Sequence, residues 1–259
     1  VIDPLARMGA RIDSAGGLPP LRIHAKNVLQ GIDYECPVAS AQVKSAILLA
    51  GLYANGPTTV REPHPTRDYT ERLLVAFGAD LDFVPGRATL RPGRTLQATT
   101  VEVPADFSSA AFFLVAASVV PDSHLVNPRR TGLLDALRLM GADITVHPAG
   151  EQGGEPVADL EVRAARLRGA LIPKALVADM IDEFPALFTA AALAEGSTLI
   201  SGAAELRVKE SDRIAVMAEG LRGLGADIEE RPDGALIRGG TLRAGRADCR
   251  GDHRIAMSL

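Results

Sequence analysis

The chain has 259 residues, of which 47% are hydrophobic, and a formal net charge of −4; this supports a globular protein and excludes a disordered one. Its basic residues are scattered, so bulk charge implies neither nucleic acid nor a membrane surface, and any anion binding has to be local. Cys36 and Cys249 stand far apart without metal-ligand spacing and read as small buried hydrophobes in a reducing, cytoplasmic compartment. The apolar stretches are too short to span a bilayer, and no metal or other cofactor is implied.

The predicted elements recur along the chain. A short amphipathic helix closes at Met8-Gly9-Ala10, and the same closure returns at Phe77-Gly78-Ala79, Met140-Gly141-Ala142 and Leu224-Gly225-Ala226, each time followed by an alternating strand. Glycine after the last apolar residue supplies the left-handed conformation that ends a helix. A turn and a second strand follow: Pro85-Gly86 leads into Ala88 to Leu90, and Pro232-Asp233-Gly234 leads into Ala235 to Ile237. Between these hairpins lie three strongly apolar helices, expected to be buried. Ser40-Ala41-Gln42 opens the one running from Val43 to Tyr53, Asp106 to Ser109 the one from Ala110 to Val119, and Asp182 to Pro185 the one from Ala186 to Ala194. They end at Gly56-Pro57, Pro121-Asp122 and Glu195-Gly196, and pass into strands at Thr58 to Val60, His124 to Val126 and Ser197 to Ile200. One unit therefore reads strand, buried helix, strand, amphipathic helix, hairpin. The marks are about 60 to 85 residues apart, too long for an ordinary solenoid and right for a compact α/β unit.

Polar residues gather where the buried helices begin: Ser40 and Gln42, Ser108 and Ser109, Asp182 and Glu183, then Asp252, His253 and Arg254. Capping accounts for Asp106, Ser108 and Ser109. It does not account for Gln42 or for His253-Arg254, and helices running parallel would bring several positive helix ends to one surface. The stretch Glu205 to Arg213 runs into the pattern Ile214, Met217, Leu221, Leu224 and is expected to form the first turn of that helix, with Lys209 and Arg213 flanking Glu210. Two cations at a positive helix end are offset either by pairing among the Lys, Glu, Asp and Arg of this turn or by an anionic ligand. Lysine occurs only at Lys26, Lys44, Lys174 and Lys209, which draws attention to each. Val1 sits just before the first Gly-Ala mark, and Gly251 to Arg254 reads as the opening of a further buried helix, so the chain is expected to start and finish in mid-unit as a fragment of a longer protein.

Pro37 to Ser45, Thr66 to Glu71, Asp182 to Pro185, Arg207 to Arg213 and Gly251 to Arg254 together resemble the 5-enolpyruvylshikimate-3-phosphate synthase family, the 3-phosphoshikimate 1-carboxyvinyltransferases of aromatic amino-acid biosynthesis. The resemblance covers essentially the whole chain, and its Ser-Ala-Gln and Thr-Arg-Asp forms are those of the glyphosate-tolerant bacterial type. It implies a two-domain inverse α/β barrel of repeated βαβαββ units, with residues 1 to 103 in one domain and 104 to 259 in the other. It also implies a cytoplasmic, monomeric transferase needing no cofactor, with shikimate 3-phosphate and phosphoenolpyruvate as substrates. By the same resemblance Asp182 accepts the hydroxyl proton and Glu210 is the acid at the methylene carbon. Ser40, Ala41, Gln42 and Arg67 bind shikimate 3-phosphate, Lys209 lies between the substrates, Arg213 and Arg254 clamp phosphoenolpyruvate, and His253 lies nearby. Family motifs that would precede Val1 and a late lysine that would follow Leu259 are absent from these residues, so the chain alone is expected to fold and bind anions weakly without useful turnover. Alternatives are a non-catalytic module binding a phosphorylated ligand and the related carboxyvinyltransferase acting on UDP-N-acetylglucosamine, whose motifs Lys209 to Arg213 and Gly251 to Arg254 do not resemble. A purely structural repeat would lack ligand affinity.

Overall fold

The structure is a computed structural model that describes residues 1–24, 28–101, 103, 106–119, 132–152 and 155–259. Lys26, Pro104, the helix end expected at Pro121-Asp122 and the strand expected at His124 to Val126 lie outside the described residues. Two compact units emerge: Val1–Glu102 with Gly153–Glu155, and Val103–Gln152 with Pro156–Leu259.

The first unit opens with α1 (Ile2–Arg7) and the antiparallel pair β1 (Arg11–Ala15) and β2 (Leu18–His24). Then β4 (Asp33–Glu35), α2 (Ala41–Gly51) and β6 (Thr58–Arg61) make a β-α-β passage in which β4 and β6 are parallel. Next come α3 (Tyr69–Ala76) and a hairpin of β7 (Asp80–Val84) and β8 (Arg87–Arg91). Strand β8 pairs antiparallel with β6, so the sheet order is β4-β6-β8-β7. Beside it, β3 (Leu29–Gln30) runs parallel to β5 (Ala54–Asn55).

The second unit contains α4 (Phe107–Val119), α5 (Gly132–Leu139) and a two-stranded sheet of β9 (Asp143–Gln152) and β10 (Glu155–Arg163). It then repeats the same passage with α6 (Phe184–Leu193), β11 (Ser197–Ile200), α7 (Arg213–Gly223), β12 (Asp227–Arg231) and β13 (Gly234–Arg238), in sheet order β11-β13-β12. The strand before α6 shrinks to single parallel bridges, Arg168 to Glu195 and Leu171 to Leu199. Helix α8 (His253–Ser258) closes the described chain.

The predicted Gly-Ala marks are one physical device used four times. The N–H groups of Gly9, Gly78, Gly141 and Gly225 donate to carbonyls three residues back, and those of Ala10, Ala79, Ala142 and Ala226 to carbonyls five residues back, each at 2.9 Å. The glycines lie at φ between 84° and 94°, a region where a Cβ is costly. The helix ends satisfied and the chain turns straight into the hairpin.

The expectation that all three apolar helices are buried holds unevenly. Helix α6 buries Phe184 to Phe188 and Ala190 to Ala192 among Met180, Ile214, Met217 and Ile237 in one large core. Helix α2 buries only Lys44, Ile47, Leu48 and Gly51, while Leu49 is 49% exposed, because its other side borders an open pocket. In α7 the helix starts later than expected: Asp212 caps it by accepting from the Ala215 N–H, so Lys209 and Glu210 precede the helix and Arg213 is its first residue. Among the described residues no helix is long and apolar enough to cross a membrane.

Close backbone approach fixes where α6 passes the end of β13. A Cβ on Gly239 would fall 1.6 Å from the Ala194 carbonyl oxygen, whereas one on Gly240 would meet nothing within 4 Å. Gly239→Ala is therefore expected to lower unfolding free energy by about 1–3 kcal/mol, the usual scale of overpacking, and Gly240→Ala by less than about 0.5 kcal/mol; urea unfolding of the two variants checks the contrast.

Candidate active site

In the first unit the polar residues expected to meet an anion lie around one end of α2. Ser40 caps the helix, its hydroxyl accepting from the Val43 N–H at 3.4 Å. That leaves Ala41 and Gln42 in the first turn, where backbone N–H groups have no helical partner. An open pocket of ≈ 470 Å³ is lined by Ala41, Gln42, Ser45, Leu49, Arg67 and Thr70, among others. The spacing of Ala41, Ser45 and Leu49 is one helical stripe, and Lys44, Ile47, Leu48 and Gly51 make the opposite, buried one. The Ser45 and Thr70 hydroxyls share a 2.7 Å hydrogen bond that ties α2 to α3. The structure thus brings Ala41, Gln42 and Arg67 to one pocket, whereas Ser40 is not among its lining residues and its hydroxyl serves as the α2 cap.

In the second unit the starts of four helices meet. The Ser108 hydroxyl, in the first turn of α4, donates to Glu183, the buried residue that precedes α6. Arg213, first in α7, is 1% exposed and spreads its guanidinium over three carboxylates. Its Nε donates to Asp252 Oδ2 at 2.9 Å, its Nη1 to Asp182 Oδ1 at 3.2 Å and its Nη2 to Glu210 Oε2 at 2.5 Å. Asp252 caps α8 by accepting from the Arg254 N–H at 3.0 Å, and it also accepts from the Ser211 hydroxyl at 3.0 Å. Arg254 Nη1 reaches the Asp182 carbonyl at 3.5 Å. His253 is exposed at the start of α8.

Several expectations change here. Two cations flanking one carboxylate become one arginine held by three carboxylates. Arg213, expected to clamp a substrate, directs one N–H from each of its three nitrogens at a carboxylate, which leaves one N–H on each terminal nitrogen beyond these three bonds. Lys209 pairs with Glu205 at 2.6 Å across one turn of the 3₁₀ segment Ala204–Val208 and its approach, not with the α7 start. Ser108 and Ser109 are not the caps of α4: Asp106 accepts from both their N–H groups, and Ser109 adds its hydroxyl.

Sequence reasoning missed Asp252 and Arg207 as site builders. Asp252 was legible as a helix cap, but its second oxygen could be assigned to Arg213 only with both helices in place. Arg207 donates to the Pro232 and Arg231 carbonyls and to Asp212 and Glu230, fastening the Lys209-Glu210 segment to the β12–β13 turn. Burial by itself would raise the Asp252 carboxyl, but the hydrogen bond and charge of Arg213, with Ser211 and the Arg254 N–H, hold it below the ordinary aspartate range. Among the described residues no group of three or more His, Cys, Asp or Glu is placed to hold a metal ion.

Both units are thus repeats of one α/β design whose polar side chains collect at helix starts. The family model for EPSP synthase (3-phosphoshikimate 1-carboxyvinyltransferase) matches residues 1–259, and the chain belongs to that family. It is 66% identical over 266 aligned positions to the 3-phosphoshikimate 1-carboxyvinyltransferase of Xanthomonas oryzae pv. oryzae strain PXO99A, covering 100% of this chain and 60% of that one. The 3-phosphoshikimate 1-carboxyvinyltransferase of Xanthomonas campestris pv. campestris strain B100 matches at 66%, with 61% of its length covered. Among solved structures, EPSP synthase from Acinetobacter baumannii superimposes with a TM-score of 0.85 at 48% identity, covering 99% of this chain and 62% of that one. The chain therefore spans about 60% of the length of the curated relatives it matches. The mixed α/β fold is that of EPSP synthase.

Asp252 sets an acid limit on the second unit. Its folded-state pKa lies below the unfolded value, so the stability it contributes is fully present above about pH 4 and is lost as pH falls through the folded value. Asp252→Asn is expected to lower unfolding free energy at pH 7 by about 3 kcal/mol, the low end for removing one member of a buried pair, and to flatten the remaining loss between neutral and strongly acidic pH. Denaturant unfolding at a series of pH values measures both.

Proposed function

We propose that this chain supplies much of the catalytic site of a 3-phosphoshikimate 1-carboxyvinyltransferase, moving the enolpyruvyl group of phosphoenolpyruvate to the 5-hydroxyl of shikimate 3-phosphate and releasing phosphate. The observation that carries the reading is the pair of carboxylates, Asp182 and Glu210, on the single buried guanidinium of Arg213. A module that merely binds phosphate gains nothing from carboxylates at its anion site, since they repel the ligand. A proton-transfer enzyme needs them.

On this reading the hydroxyl oxygen attacks C2 of phosphoenolpyruvate, Asp182 takes the hydroxyl proton and Glu210 delivers a proton to the methylene carbon. The tetrahedral adduct that results then gives a methyl proton back to a carboxylate while the C2–O bond to phosphate breaks, restoring the enol ether and releasing phosphate. Ser40, Ala41, Gln42 and Arg67 hold the shikimate 3-phosphate, with helix-start N–H groups of α2 adding donors. Arg254 and Arg213 receive phosphoenolpyruvate, a bidentate task suited to guanidinium. Lys209 leaves Glu205 to stand between the substrates, and His253 lies beside Arg254. Residues 1 to 103 and 104 to 259 are assigned to two domains of the enzyme, which works as a cytoplasmic monomer without cofactor, nucleic acid or membrane.

Two measurements test these roles in the complete protein. Asp182→Asn and Glu210→Gln are each expected to lower turnover at least about a hundredfold with far smaller changes in shikimate 3-phosphate affinity; near-normal turnover in either variant removes its assigned role. Arg254→Ala is expected to weaken phosphoenolpyruvate binding by about 1.5–3 kcal/mol, the range for hydrogen bonds to charged groups, while Arg67→Ala acts on shikimate 3-phosphate. Titration calorimetry with each substrate distinguishes this pattern from its reverse.

A further inference from the structure

Lys44 lies on the buried stripe of α2, 3% exposed, beside Ile47 and Leu48. Its ammonium donates to Glu62 Oε2 at 2.9 Å, to Glu71 Oε1 at 2.7 Å and to the backbone carbonyl of Arg67 at 3.1 Å. Those three partners use all the donors an ammonium has. The second oxygen of Glu62 accepts from the Thr66 hydroxyl, and the Glu62 N–H donates to the Gly86 carbonyl. One cation therefore gathers α2, the first turn of α3 and both ends of the segment 62–67.

Stability alone does not account for this knot. Two nearly fully buried carboxylates share one ammonium, and burial pushes the Glu71 carboxyl up despite the Lys44 charge acting against it. Buried charged clusters of this kind are commonly matched or exceeded in stability by apolar side chains of similar volume. An apolar side chain at position 44 could pack beside Ile47 and Leu48, but it could not hold a carbonyl at a fixed point. That carbonyl belongs to Arg67, whose side chain lines the pocket together with Ala41 and Gln42.

We propose that Lys44 is a positioning residue for the anion pocket of the first unit: it fixes the backbone of Arg67 against the first turn of α2, so that guanidinium and helix start address one ligand. The proposal rests on the reading of that pocket as the shikimate 3-phosphate side of the site.

The test is a mutant cycle in the complete protein, with shikimate 3-phosphate affinity, kcat and both KM values measured alongside thermal unfolding. The charge-neutral variant Lys44→Met/Glu62→Gln/Glu71→Gln is expected to weaken shikimate 3-phosphate binding about tenfold and to change the phosphoenolpyruvate KM by less than about twofold. In an Arg67→Ala background the same triple change is expected to add less than about twofold, because its effect runs through Arg67. Unchanged affinity in the triple variant overturns the proposal. So does a full tenfold loss on top of Arg67→Ala, which marks a general structural effect. If Arg67→Ala itself leaves shikimate 3-phosphate binding intact, the reading of the pocket fails, and the proposal with it. Should the triple variant not fold, Lys44→Arg, which keeps the buried charge but not the three-point donor geometry, is carried through the same cycle under the same criteria.

Discussion

A guanidinium taken out of water has to be met by anions on its donor edges, and Arg213 is met by three. Each carboxylate comes from a different place: Asp182 from the turn before α6, Glu210 from the segment before α7, Asp252 from the cap of α8. Asp252, 0% exposed, cannot leave the arginine without leaving charge unpaired in a buried site, whereas Glu210, 60% exposed, faces solvent. The chemistry proposed for Asp182 and Glu210 therefore depends on an arginine that holds both at the same point, with Arg254 drawn in through the Asp182 carbonyl and the Asp252 cap.

The three carboxylates are not equally buried. Of the two carboxylates proposed for proton transfer, Glu210 is the more exposed partner of Arg213, at 60% against 19%. Asp252, 0% exposed, is the buried partner that anchors the arginine.

The first unit builds its pocket from the same parts with the charge reversed. There a buried cation, Lys44, gathers Glu62, Glu71 and the Arg67 carbonyl. Helix α2 carries this knot on one stripe and the pocket lining on the other, so a single helix sets the distance between them. In both units the ions do geometric work that apolar packing could not do, since a hydrophobic contact has no direction.

Much of the local structure was legible in the sequence. The four Gly-Ala closures and the hairpins after them follow from short-range rules, a glycine at positive φ and turn residues at fixed offsets, which act within a few residues. Motifs carried the family in the same way, because Thr66 to Glu71, Arg207 to Arg213 and Gly251 to Arg254 keep their chemistry in consecutive residues. Tertiary structure decided the rest. That α7 begins at Arg213 depended on which of several charged residues became the cap, and that Lys209 turned to Glu205 depended on the 3₁₀ segment before it. The pairing of Arg213 with Asp252, 39 residues on, and of Lys44 with Glu62, 18 residues on, could not be read from either neighbourhood alone. Periodicity records which face of a helix is apolar, but the partner of a buried charge is chosen by the elements that pack around it.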